Sequence, residues 1–174
     1  MSLRLFIAIN FNDATRTRLI ALRDELRTRS GRGRFSLLEN LHLTLAFLGE
    51  CDASQTAAAK AAMNTICFEP FDIQVEQVGR FRRDGGDIWW VGLHRSKPLL
   101  DLQRELSDEL IATGFTIEKR EYKPHITLGR EVMMDAAPWQ IEPFGETICK
   151  IDLMKSERIG GKLTYTAIHT REAG

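Results

Sequence analysis

Short apolar runs alternate along the chain with longer stretches in which leucine or alanine recurs every three or four residues. The first pattern predicts strands and the second predicts helices with one buried face. Residues 3–11 read as a strand. Asn12 or Asp13 caps a helix with Leu19, Leu22 and Leu26 on one face, and Ser30-Gly31-Arg32-Gly33 ends it in a flexible loop. Residues 41–48 form a second strand, closed by Gly49. Asp52 then caps an alanine-rich helix reaching about residue 66. Residues 71–78 and 88–93 alternate as strands around Asp84-Gly85-Gly86-Asp87, which predicts a hairpin. Ser96 and Pro98 open a third helix, with Leu99, Leu102, Leu106 and Leu110 inward and Gly114 at its end. A strand at 125–129 follows. Residues 144–154 and 163–170 read as two more strands around Gly160-Gly161.

The order of these elements repeats. Phe6-Ile7-Ala8-Ile9 aligns with Trp90-Val91-Gly92-Leu93 at an offset of 84, and Leu22 and Leu26 align with Leu106 and Leu110 at the same offset. Strand, helix, basic loop and strand occur twice in one order, which predicts a duplicated unit with a pseudo-two-fold axis. No linker divides the chain, so residues 1–174 read as one domain of two pseudo-symmetric lobes.

The second strand of each unit carries the same four-residue motif, His42-Leu43-Thr44-Leu45 and His125-Ile126-Thr127-Leu128, 83 residues apart. Alternation places His42 and Thr44 on one face, with Leu43, Leu45 and Phe47 on the other. His125 and Thr127 repeat the arrangement. An unperturbed imidazole titrates near pH 6.5, so one can be neutral while the other is charged. A base and an acid on opposite sides of a reacting atom meet the need of an in-line displacement at phosphorus. The threonine hydroxyls, two residues along on the same face, can hold the non-bridging phosphate oxygens. No carboxylate or further histidine stands at ligand spacing, so a metal is not expected. His94 and His169 lack the threonine and read as structural or exposed.

Charge adds local information only. Lys and Arg number 24, as do Asp and Glu, so there is no net charge to draw nucleic acid or a membrane surface. Basic residues nevertheless cluster at Arg23, Arg27, Arg29, Arg32 and Arg34, at Arg80, Arg82 and Arg83, and at Lys119, Arg120, Lys123 and Arg130. Clusters bracketing both motifs suit an anionic substrate of modest size. The three cysteines, Cys51, Cys67 and Cys149, show no CxxC spacing and fit a reduced, cytoplasmic setting, with Cys51 a small buried residue. Arg4 interrupts the first apolar run, which reads as a strand and not as a signal peptide. No apolar stretch approaches the roughly 18 residues of a membrane span. No apolar stripe asks for a partner, so a monomer is expected.

Residues 40–50, Asn-Leu-His-Leu-Thr-Leu-Ala-Phe-Leu-Gly-Glu, and 123–130, Lys-Pro-His-Ile-Thr-Leu-Gly-Arg, resemble the two-histidine (2H) phosphoesterase superfamily. The nearer resemblance is to its RNA 2′,3′-cyclic phosphodiesterase branch, also called 2′-5′ RNA ligase. The first strand, Gly79-Arg80-Phe81, and Ser156 through Gly161 to Tyr165 extend the likeness over nearly the whole chain. The resemblance implies a bilobal α+β fold, with two antiparallel sheets forming a V-shaped cleft and helices outside. It implies cofactor-free hydrolysis of a 2′,3′-cyclic phosphate at an RNA end, fragments of tRNA included, to a 2′-phosphate. His125 is then the proton acceptor, His42 the proton donor, and Thr44, Thr127 and Arg130 the phosphate holders. Phe81 is a candidate for stacking on a base, with Tyr122 and Phe35 weaker ones. Other readings are a cyclic phosphodiesterase acting on ADP-ribose 1″,2″-cyclic phosphate or small cyclic nucleotides, reversible 2′-5′ ligation, and a non-catalytic RNA-end binder.

Overall fold

The helices begin at the capping residues that the sequence marks. In the computed structural model, which describes residues 1–118 and 120–174, α1 (Asp13–Arg29) starts at Asn12, whose side chain accepts from the Thr15 amide at 2.9 Å. Such a cap stabilises a helix by about 1 kcal/mol. α2 (Ala53–Thr65) opens on a reciprocal capping box between Asp52 and Gln55. α3 (Lys97–Ala112) opens at Ser96 and buries Leu99, Leu102, Leu106 and Leu110.

Nine strands are described: β1 (Leu3–Ile9), β2 (Arg32–Phe35), β3 (Leu43–Cys51), β4 (Phe71–Phe81), β5 (Asp87–Leu93), β6 (His125–Met133), β7 (Trp139–Ile148), β8 (Lys150–Ile159) and β9 (Lys162–Glu172). They form two antiparallel sheets, ordered β3-β1-β8-β9 and β2-β6-β5-β4-β7. Two sequence expectations are corrected. The Ser30 to Gly33 segment does not stay a loop: Gly31 donates to the Met133 carbonyl at 2.8 Å, and the chain continues as β2 at a sheet edge. Glycine and arginine there look like loop composition, but an edge strand tolerates both because one side needs no partner. Residues 144–154 are not one strand. The chain leaves the five-stranded sheet at Ile148 and joins the four-stranded sheet at Lys150, with Cys149 as the crossing point. An apolar run that changes sheets looks the same in sequence as one that does not.

The duplication is present in the topology. The order β3-β1-β8-β9 recurs as β6-β5-β4-β7, so β1 and β5 hold equivalent places, each beside a motif strand. The halves exchange strands: β4 joins the sheet that holds β5 and β6, while β8 and β9 join the sheet that holds β1 and β3. α2 packs on β3 and β9, α3 on β3 and β4, and α1 on β2, β6 and β7. The helices thus cover the outer faces, and the main core lies between them and the sheets. The inner faces form a V-shaped cleft. On the four-stranded sheet that face carries a separate small cluster of Phe6, Ala8 and Met154 with Tyr165 against it.

Candidate active site

Both motif strands break their alternation at the same place. Across β1, Ala8 faces Thr44 and Ile7 faces Ala46, so Leu45 is an extra residue. Across β5, Trp90 faces Thr127 and Trp89 faces Gly129, so Leu128 is extra. Each bulge follows the threonine directly and resets the face of what comes after. Strict alternation sends Phe47 into the core and Arg130 to the back of its sheet. Instead Phe47 is 53 % exposed, its ring 6.2 Å from Phe6 on the inner face, and Arg130 is exposed. Phe47 therefore does not share a face with Leu43 as strict alternation predicts.

His42 is partly buried, stacked on Phe6 at 5.0 Å and edge-on to Tyr165 at 5.5 Å. Its Nδ1 is buried without a hydrogen-bond partner. Burial lowers its pKa to about 4, partly opposed by the Glu39 backbone carbonyl. The unfolded imidazole titrates near 6.5, so below that pH the unfolded chain takes up a proton that the folded site resists. The His42 contribution is intact above pH 6.5 and is lost as pH falls toward 4. We expect the urea midpoint to drop between pH 7 and 4.5 by more in the wild type than in His42→Gln; equal drops would contradict this.

His125 sits in the mirrored environment, 5.3 Å from Phe81 edge-on and 6.0 Å from Trp90. Its Nδ1 lies 2.6 Å from the Lys123 carbonyl. A carbonyl only accepts, so Nδ1 carries the proton and Nε2 of the neutral ring has a free lone pair. The two motifs are also tied together. The Tyr122 hydroxyl, just before the second motif, donates to the Thr44 carbonyl at 2.7 Å, and β3 and β6 approach within 8 Å between Cα atoms. Burial pushes the Tyr122 phenol well above its usual range, so it stays a donor. Neither Thr44 nor Thr127 spends its hydroxyl on a neighbour among the described residues. Arg130 makes no ion pair among them, since Arg34 takes the adjacent Glu131 at 2.9 Å. Burial raises the Tyr165 phenol, and the charges of Arg4 and Arg130 oppose that rise.

Several sequence candidates have other work. Tyr122 is the tie just described, not a stacking platform. Phe35 packs on the core beside Gly33 and Gly129. Arg80 pairs with Asp87 at 3.8 Å, donates to the Ala136 carbonyl and covers Trp89. Arg23 and Arg27 bind Asp24, and Arg29 binds Glu25, on a helix outside the cleft. Lys119 lies outside the described residues. Phe81 stays beside His125, with the Arg83 guanidinium 5.7 Å from its ring. His94 bonds Glu76, His169 bonds Asn64, and Cys51 is buried, all as structural residues. The sequence reading missed the aromatic pair Phe6 and Trp90 as site residues. Their alignment at an offset of 84 was the available signal. Among the described residues no three His, Cys, Asp or Glu are grouped to hold a metal, and no helix is long and apolar enough to cross a membrane.

Residues 11–159 match the model of the 2′-5′ RNA ligase superfamily. The chain is 32% identical over 151 residues to an RNA 2′,3′-cyclic phosphodiesterase of Archaeoglobus fulgidus, covering 83% of this chain and 85% of the relative. It is 31% identical over 129 residues to the Escherichia coli K12 enzyme of that name, covering 74% and 72%. Crystal structures of E. coli LigT complexed with 3′-AMP (TM-score 0.85, 26% identity, 99% of each chain) and of TT0787 of Thermus thermophilus (TM-score 0.82, 23% identity, 98% and 97%) share the fold.

Proposed function

Because the chain belongs to the 2′-5′ RNA ligase superfamily, we propose that it is a metal-independent RNA 2′,3′-cyclic phosphodiesterase in which His125 accepts and His42 donates the proton. The observation that carries the division of labour is the 2.6 Å contact from His125 Nδ1 to the Lys123 carbonyl. It leaves Nε2 as an acceptor, which is what a base needs. Water attacks phosphorus opposite the 3′-oxygen. A water O–P bond forms, the P–O3′ bond breaks, His125 takes the water proton and His42 protonates O3′. The product is a 2′-phosphate. Thr44 and Thr127 donate to the non-bridging oxygens, and Arg130 adds a fixed positive charge where negative charge accumulates. The low pKa of His42 makes its cation a strong donor, and the bound phosphate anion supplies the field that charges it. Phe81 offers an aromatic face to the terminal base.

RNA ends are the proposed substrate, tRNA fragments among them, and the protein is proposed to act as a cytoplasmic monomer. The relatives named above and the LigT complex with 3′-AMP support a nucleotide in the cleft. A 5′-hydroxyl in the place of the water would run the step as 2′-5′ ligation.

The test is a short RNA ending in a 2′,3′-cyclic phosphate, incubated with the protein and EDTA. Full conversion to a 2′-phosphate is expected, because the imidazoles and hydroxyls provide every proton and hydrogen bond the step uses. Loss of activity on chelation would bring a metal into the mechanism. A 3′-phosphate would reverse the leaving group. An untouched substrate would refute the reading in favour of ADP-ribose 1″,2″-cyclic phosphate.

A further inference from the structure

Beyond His42 the inner face of the four-stranded sheet does not close. A groove of about 600 Å³ runs on from the rings that touch His42, floored by Phe6, Phe47 and Tyr165 and lined by Arg4, Ser156 and Arg158. That volume lies within the range of about 300–1,000 Å³ common to ligand sites. Its charges are unequally engaged. Glu157 is held by Lys155 at 3.1 Å, and Glu50 accepts from Ser2 at 2.8 Å. Arg4 and Arg158 have no carboxylate partner among the described residues; Arg158 only donates to the Gly161 carbonyl. The Arg4 guanidinium lies 5.3 Å from the centre of the Phe47 ring. An exposed phenylalanine beside a free guanidinium, with more aromatic surface alongside, has the makings of a single-strand platform: bases stack on rings and phosphates meet arginine.

We propose that this groove holds the nucleotide preceding the cyclic phosphate, so that the enzyme reads an RNA chain and not only its terminal sugar. The inference rests on the phosphodiesterase reading. If His42 protonates O3′, the terminal ribose lies on the His42 side, and the chain leading away from it passes onto the four-stranded sheet. The bulge at Leu45 makes this possible by turning Phe47 onto the inner face.

The experiment compares kcat/KM for uridine 2′,3′-cyclic phosphate with that for a trinucleotide ending in the same group. The wild type is expected to favour the trinucleotide. Phe47→Ala should lower the trinucleotide-to-mononucleotide ratio roughly tenfold, the effect of losing one base stack. Phe47→Trp should restore it, and Arg4→Gln should lower it and flatten its salt dependence. A ratio that Phe47→Ala and Arg4→Gln leave unmoved overturns the groove while leaving the phosphodiesterase reading in place. A wild type that opens neither substrate overturns that reading, and the groove assignment with it.

Discussion

His125→Ala lowers turnover on an RNA 2′,3′-cyclic phosphate by about 10²–10⁴-fold, and His42→Ala does the same, with both variants still folded. In free energy this is about 2.7–5.5 kcal/mol of transition-state stabilisation for each. Neither ring belongs to the main core: His125 bonds only its own loop, and the packing of His42 on Phe6 and Tyr165 is partly offset by the cost of its buried, unpartnered Nδ1. The pH dependence of kcat is expected to be bell-shaped in the wild type, since one imidazole must be neutral and the other charged. The roles separate with a substrate whose 3′-oxygen is replaced by sulfur, a leaving group that needs no proton. That substrate should rescue His42→Ala and leave His125→Ala slow. Rescue of His125→Ala instead would exchange acid and base. Full activity in either variant with the natural substrate would remove the site.

Gly79→Ala loses stability by about 1–3 kcal/mol and turnover with it. Gly79 on β4 faces Trp90 on β5, and the indole lies flat across the glycine. A Cβ there stands 2.3 Å from one ring carbon and 2.7 Å from two others, closer than atoms can sit. The ring must move, and Phe81 and His125 stand beside it, with ring centres 5.2 and 6.0 Å away, so the shift disturbs them. The thermal midpoint should fall. Gly79→Ala combined with Trp90→Leu should recover most of it, because the smaller side chain makes room. If the single substitution leaves both midpoint and turnover unchanged, the indole does not depend on that gap.

The chain announces its helices and its two histidines clearly, for local reasons. Asn12, Asp52 and Ser96 cap within three residues of where they stand, and His42 and His125 recur with the threonine at the same spacing. What sequence could not show depends on partners far along the chain. The bulges at Leu45 and Leu128 exist only relative to β1 and β5, so period-two reading misplaces Phe47. The strand at Arg32–Phe35 forms because β6 offers it an edge, not because its residues favour strands. Arginine clusters mislead for a related reason: acidic residues one to four positions away neutralise Arg23, Arg27 and Arg29 on α1, and Arg80 meets Asp87 only once the hairpin closes. The Tyr122 tie to Thr44 spans 78 residues and leaves no trace in local composition.

The exchange of strands makes each half of the repeat an incomplete object. Cut at the exposed turn around Gly85, the first fragment keeps β1 and β3 but lacks β8, the neighbour that closes the other side of β1. The second fragment keeps β5 and β6 but lacks β4. Separate peptides should therefore be poorly structured alone and should associate one-to-one into an active complex. In effect the molecule is a strand-swapped dimer whose two copies have been fused end to end, with each copy supplying one histidine.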